Sequence, residues 1–376
     1  MVGGSLSSFI GPVHRTAAAL DGQIELVCGA FSSNASESKK TGKSLFLNSK
    51  RVYATYVEMF EKEKKLPPYQ RMDFVSVVTP NHVHYAPTKM ALESGFHVMV
   101  EKPIAFSLAE AKSIQKLVNK TGLVLALAHT YTGYPMVKEA RHLVRLGKIG
   151  KVKKIVVEYS QGWLSTPLEK KGNRQASWRT DPKKSGMGGA IGDIGTHAAN
   201  LAEYITGSNI TEVCTMVNTV VRGRKLDDDS SMLLRFDNGA SGVLLATQVA
   251  AGEENNLNIR IYGEKGGLEW RQEEPNTLVL KWLDKPKEIL RAGWDYLSDD
   301  AKKFIRTPAG HPEGYLEAFA NIYRSFTNAL HDYKPGKRIN AEKYDFPDVN
   351  HGVRGMAFVE TVVKSAQSTK KWVKIK

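Results

Sequence analysis

An α/β fold in two domains is predicted for this 376-residue chain, and three observations predict it. The length exceeds what one hydrophobic core usually holds. Between Gln23 and Thr130 short Val-rich runs alternate with helix-like segments, and with little polar interleaving this signals a parallel sheet covered on both faces. After Gly147 the pattern becomes a succession of strand-like runs broken by short turns, as in a large, mostly antiparallel sheet. The expected domains are therefore residues 1–130 and 131–376.

In the first domain the strand candidates are 24–31, 74–79, 97–100 and 123–129. Ahead of them Met1-Val2 is a very short opening strand, and the reading expects further residues before Met1. Helices fill the gaps, at 13–20 and 86–93, and Ser107-Leu108-Ala109-Glu110 is a capping box that opens a helix ending near Gly122. Tyr134-Pro135 starts a helix that runs to Gly147. In the second domain strands are expected at 151–161, 212–222, 231–236, 240–249, 257–263, 267–271 and 278–283, with an irregular, basic stretch over 165–186 positioned as a substrate loop. Helices return at 313–333 and 353–368.

Hydrophobic residues make up 41% and charged residues 24%, which suits a packed globular protein and excludes disorder as the default. The net charge of +14 comes from scattered clusters at 62–65, 170–174 and 370–376, and only the last holds an aromatic ring, Trp372. That makes a solvated surface favouring anionic ligands, not a base-stacking platform, so no nucleic-acid partner is expected. No apolar run approaches the ~20 residues of a bilayer span, and a cytoplasmic location without membrane attachment is expected. The two cysteines, Cys28 and Cys214, lie in apolar runs and read as buried thiols.

Chemistry concentrates in three places. In Gly186-Met187-Gly188-Gly189-Ala190-Ile191-Gly192-Asp193-Ile194-Gly195-Thr196-His197 a carboxylate and an imidazole are four residues apart. If the stretch is helical, Ile191, Ile194, Ala198, Leu201 and Ile205 face a core, while Asp193, His197 and Asn200 form a polar stripe. An imidazole oriented by a carboxylate can take a proton from an alcohol near neutral pH. A two-ligand metal site has the same spacing, but third and fourth ligands are not evident, so no metal is expected. The second place is Glu101-Lys102-Pro103 together with Thr79-Pro80-Asn81-His82-Val83-His84, each closing a buried strand at the edge where parallel sheets bind ligands. There the Lys102 ammonium could stabilise charge on a substrate oxygen. The third is the turn Gly3-Gly4 through Phe9-Ile10-Gly11, whose glycines could admit a pyrophosphate to a helix N-terminus, or simply form a turn. After the next strand comes Phe31-Ser32-Ser33-Asn34 with no acid for a ribose. Ser32 and Ser33 could bond ribose hydroxyls or a 2′-phosphate, which leaves NAD and NADP both open.

These elements, in this order, resemble the Gfo/Idh/MocA oxidoreductases over nearly the whole chain. The resemblance implies an N-terminal Rossmann domain and a C-terminal α/β domain with a large open sheet that commonly packs against another subunit, as a homo-dimer or tetramer. It implies NAD or NADP as cofactor and a sugar, polyol or sugar derivative as substrate, with hydride transfer at a secondary alcohol. Carried over by position, Lys102 binds the reacting hydroxyl, Asp193 holds substrate or orients the imidazole, and His197 exchanges the proton. Gly3, Gly4, Phe9, Ile10, Ser32, Ser33, Thr79, Pro80, Asn81, His84, Glu101, Lys102 and Pro103 are the expected cofactor contacts. Tyr131, Trp163, Trp178, Arg179 and His311, with Asp193 and His197, are the expected substrate contacts, and Tyr134 is a further lining candidate. Two other activities stay open: a glycosidase that uses held NAD for transient oxidation, and a dinucleotide-binding regulator without turnover. The missing ribose acid, and Asn200 where many relatives carry an acid, are departures that bear on cofactor and substrate.

Overall fold

The computed structural model describes residues 1–376 and contains two sheets, each with its own core. The first has four parallel strands in the order Val2–Gly3, Phe74–Val78, His97–Val100, Leu125–Leu127. Its central strands are buried on both faces, which is why they read as unbroken apolar runs. The N-cap forms as expected, with Ser107 Oγ accepting from the Glu110 N–H at 3.2 Å, but the Glu110 carboxylate takes the Phe106 N–H at 2.9 Å, one residue before the cap, and the helix Leu108–Thr121 ends on left-handed Gly122.

The strand expected at 24–31 does not form. Only Gly29 and Ala30 make isolated bridges, Ala30 to Val2 and Gly29 to Val52. The run has the local pattern of a strand, but pairing needs a second segment, and only these two residues find backbone partners. A cavity of about 630 Å³ lies there, lined by Ile24, Leu26, Phe74, Ser76, His97 and Tyr323 among others.

Contacts group Met1–His129 with Phe319–Met356 in one unit, and Thr130–Ala318 with Ala357–Lys376 in the other. The sequence reading assigned residues 319–356 to the second domain, but most of the helix Tyr315–His331 belongs with the first unit, where Tyr323 meets His14 and Ser76. Side-chain partners so distant in sequence leave no periodic signal.

In this first unit His97 is 9% exposed, its Nδ1 accepts from the Val124 N–H at 2.9 Å, and its ring packs edge-on against Tyr333. Burial pushes its imidazole down to about 4. A histidine depressed on folding stabilises fully above its ordinary value near 6.5 and loses that contribution as pH falls toward 4. We therefore expect the urea midpoint to fall between pH 7 and pH 4.5, and His97→Asn, which keeps an acceptor without the titration, to flatten that slope. A slope unchanged by the substitution would refute the assignment.

The second sheet has nine strands in the order Glu288–Arg291, Thr277–Trp282, Gly266–Arg271, Asn256–Gly263, Val152–Ser160, Ser241–Thr247, Asp229–Phe236, Ile210–Asn218, Val373–Lys374. Every pairing is antiparallel except Val152–Ser160 with Ser241–Thr247. One face carries Ile155, Val157, Leu244, Ile259, Leu268 and Leu280, all buried against helices that include Pro135–Arg145 and Thr196–Thr206. The stretch expected to be irregular instead holds three short helical turns, Leu168–Lys171, Arg174–Arg179 and Pro182–Ser185, the latter two opened by Asn173 and Asp181 side-chain caps. Cys28 is buried, and burial raises its thiol to about 11; Cys214 is only half-buried, because it faces the open side of the sheet. No helix is long and apolar enough to cross a membrane.

Candidate active site

In the first unit the glycine turn is shaped by close approach. Gly3 and Gly4 have φ of +80° and +78°, and a Cβ on Gly11 would lie 2.4 Å from Gly4 Cα. The helix Ile10–Ala19 therefore seats its N-terminus directly on the turn, an arrangement that directs free N–H groups outward. Phe9 is 63% exposed and Ile10 half-buried at its mouth.

The sequence reading found no acid after Phe31, yet the fold supplies one. Glu37 accepts from Ser32 Oγ at 2.9 Å through one oxygen and from Ser7 Oγ at 2.9 Å through the other, which ties the glycine turn to the next loop. The signal was the capping pattern Asn34-x-x-Glu37; the cap forms at Asn34, but the carboxylate turns across to the serines. Ser33 is exposed.

At the strand ends, Asn81 is 6% exposed and the Thr79 hydroxyl is buried with no partner within the protein. Pro80 is exposed. His84 is 1% exposed, and both ring nitrogens face carbonyls, Pro103 O at 2.6 Å and Thr79 O at 2.7 Å. It was expected to touch cofactor; instead the ring holds the Thr79 and Pro103 loops together, leaving no nitrogen for a ligand. Burial lowers its basicity, against the pull of the two carbonyls. The Lys102–Pro103 peptide is cis. Glu101 is buried, which would raise its carboxyl, but hydrogen bonding to His14 and the neighbouring charges hold it below its usual range.

In the second unit the glycine-rich run makes one wide π-type turn, Ile191–Gly195, and continues as the helix Thr196–Thr206. The apolar stripe is as expected: Ile191, Ala198 and Leu201 are fully buried, while His197 and Asn200 are 8% and 9% exposed. Asp193 Oδ2 accepts from Arg179 Nε at 3.0 Å and Gln248 Nε2 at 2.9 Å. The Arg179 guanidinium also lies 4.2 Å from the Trp178 ring centre and 5.8 Å from that of Trp163. Trp163 donates to Gln161, which also accepts from Gln248.

The His197 ring meets the edge of Tyr131 at 4.9 Å between centroids, with Tyr159 at 6.5 Å. The Tyr131 and Tyr159 hydroxyls are bonded to one another, and Tyr159 donates to Asn255 at 2.7 Å. Burial raises the Tyr159 phenol well above its ordinary value, so it remains a neutral donor. Tyr131, Trp163, Trp178, Arg179, Asp193 and His197 thus fall into one polar band at the strand ends. Tyr134 stacks on Tyr131, whereas His311 is exposed in a turn, where it is held only through its backbone. Tyr159, Gln161, Gln248 and Asn255 were missed; the only trace was polar residues ending apolar runs.

A family model described as "Oxidoreductase family, NAD-binding Rossmann fold" matches residues 1–129, and one for the "GFO/IDH/MocA C-terminal domain" matches residues 137–269. An uncharacterized oxidoreductase of Bacillus subtilis, YfiI, is 32% identical over 100% of this chain and 96% of its own length. A levoglucosan dehydrogenase of Pseudarthrobacter phenanthrenivorans is 30% identical over 64% of this chain and 63% of its own. The crystal structure of an inositol dehydrogenase homolog from Azotobacter vinelandii, complexed with NAD+, superposes with a TM-score of 0.93 at 33% identity, covering 100% of this chain and 96% of that one. The chain belongs to the GFO/IDH/MocA family of NAD-binding oxidoreductases.

Proposed function

We propose that the protein oxidises a secondary alcohol of an uncharged sugar or polyol with NAD, or runs that reaction in reverse. The observation that carries this is the Arg179–Asp193–Gln248 cluster beside His197, flanked by indoles and phenols. Its guanidinium is already paired with a carboxylate, so the band offers hydrogen bonds and ring faces more than net charge, which suits a neutral polyhydroxylated ring. The Azotobacter homolog has also been solved with NADH and myo-inositol.

The residues present fit a dinucleotide: a glycine seat that a Cβ would fill, a helix N-terminus on it, and the orphaned Thr79 hydroxyl. Gly3, Gly4, Ile10, Ser32, Thr79 and Asn81 would hold it. Bound NAD supplies the hydride acceptor, and the protein supplies orientation and electrostatics. Lys102 donates to the reacting hydroxyl oxygen and stabilises charge there; His197 takes the proton. Asp193, fixed by Arg179 and Gln248, accepts from a neighbouring hydroxyl. Trp163 and Trp178 cover the ring face and exclude water.

The test is a panel of myo-inositol, levoglucosan, free sugars, sugar acids and chromogenic glycosides, each with NAD and NADP, with reduced cofactor followed by absorbance. NADH formed in proportion to a free neutral polyol supports the reading. Glycoside cleavage without net NADH, or tight NAD binding without turnover, overturns it. Glu37 sets a second expectation, because a carboxylate between Ser7 and Ser32 repels a 2′-phosphate. Glu37→Gln should raise the NADP-to-NAD ratio of kcat/KM about tenfold, on the order of one charge contact; an unmoved ratio would remove Glu37 from cofactor choice.

The open face of the large sheet supports self-association. Cys214, Leu233, Val243 and Val156 are register partners in one row across four strands, and Leu233 is 46% and Met216 57% exposed. Leu233→Glu with Val243→Lys should yield monomers in sedimentation; oligomers unaffected by the pair would place the interface elsewhere. Two free thiols accord with a reducing cytoplasm.

A further inference from the structure

A buried chain of hydrogen bonds runs through the first unit from the cavity beside Phe74 to the loop that carries Lys102. Ser76 Oγ and Tyr323 Oη are 2.9 Å apart, Tyr323 Oη and His14 Nδ1 2.7 Å, and His14 Nε2 and Glu101 Oε1 2.9 Å. The other Glu101 oxygen, Oε2, accepts from the Lys102 N–H at 3.0 Å. None of the four is a surface residue: His14 is 0%, Tyr323 1%, Ser76 8% and Glu101 9% exposed. We infer that His14, held by Tyr323 and Ser76, is a positioning residue: it fixes the Glu101 carboxylate, and Glu101 in turn fixes the Lys102 main chain. This rests on the role proposed above for Lys102.

The donor directions support it. A carboxylate only accepts, so His14 Nε2 carries the hydrogen; in the neutral ring Nδ1 then accepts from Tyr323, and Tyr323 accepts from Ser76. Every hydrogen in the chain points toward Glu101, and each bond polarises the next. The two carboxylate oxygens are divided between an imidazole and a backbone amide, so neither can rotate without breaking a buried bond. His14 lies in the helix Ile10–Ala19, whose first turn sits on the glycine seat, so the element proposed to receive the dinucleotide also grips the lysine loop. Phe319 packs edge-on to the His14 ring at 4.5 Å and holds its plane.

The test uses the full-length protein and two measurements. By amide hydrogen exchange, His14→Leu and Tyr323→Phe should each speed exchange of the Lys102 N–H at least about tenfold, while the strands Phe74–Val78 and His97–Val100 keep their protection. His14→Gln, whose amide nitrogen can stand where Nε2 stands, should restore most of it. In kinetics with NAD and myo-inositol, or the polyol the panel identifies, His14→Leu should lower kcat about tenfold or more with little change in the KM for NAD. The same substitution in a Lys102→Ala background should cost less than about twofold further, since coupled residues are not additive. Tyr323→Phe removes one hydroxyl and keeps the ring, so it serves if His14→Leu does not fold. Unselective loosening of the whole unit, equal losses in both backgrounds, or wild-type turnover beside a crippled Lys102→Ala would overturn the inference alone. Unchanged turnover of Lys102→Ala would overturn the lysine assignment and the inference with it.

Discussion

His197→Ala is expected to lower kcat about a hundred-fold or more, as loss of a positioned general base does, while NAD affinity changes less than about twofold. The two effects separate because the imidazole lies on the helix Thr196–Thr206 among Tyr131 and Tyr159, whereas the seat proposed for the dinucleotide draws on the turn at Gly3-Gly4 and the loops at Thr79 and Glu101. The surroundings should survive the truncation: Tyr159 is anchored to Asn255, Asn255 also bonds Gln161, and the helix keeps its apolar packing through Ala198, Leu201 and Ile205. Stopped turnover with weakened NAD binding would instead indicate a collapsed site, and unchanged turnover would remove His197 from the chemistry.

Legibility in the sequence followed distance along the chain. The capping box at Ser107 and Glu110, the strand at His97 and the stripe through Ile191, Ala198 and Leu201 are local patterns, and local energetics decide them. The strand expected at 24–31 has the local pattern, but a strand is a property of two segments, and only Gly29 and Ala30 find bridge partners, in Val52 and Val2. Glu37 is not legible as an acid of the loop after Phe31, because its carboxylate reaches back from the first turn of the following helix. Lys102, Asp193 and His197 stood out because charge beside core-like residues is conspicuous. Arg179 and the indoles were softer candidates, since only the caps at Asn173 and Asp181 fold their segment back on Asp193. Gln248, Asn255 and Tyr323 have no such contrast: neutral polar residues at the end of a strand or within a helix resemble surface until their partners are known.

The glycines of the Asp193 run give the second large expectation, and they divide sharply. A Cβ on Gly189 would lie 2.0 Å from the carbonyl oxygen of Asp227 and 3.1 Å from Leu226 Cβ. That carbonyl cannot retreat. It accepts from the Ala190 N–H at 3.0 Å, and the Asp227 carboxylate takes the Gly189 and Ile191 N–H groups at 2.6 and 2.8 Å. Asp227 is 8% exposed, and burial pushes its carboxyl up against the pull of those same amides, so displacing it also strands a buried acid. Gly189→Ala should therefore cost about 3 kcal/mol or more, from overpacking plus broken backbone bonds, and lower Tm by on the order of 10 °C. What folds should turn over slowly, because the Asp227 clamp sets the wide turn that presents Asp193 to Arg179 and Gln248. Gly192, three residues on and one before the carboxylate, is the control: a Cβ there meets nothing within 4 Å. Gly192→Ala should leave the melting temperature unchanged or raise it slightly by reducing unfolded-chain entropy. Equal melting of the two variants would mean that flexibility, not the close approach of Asp227, is what the glycines provide.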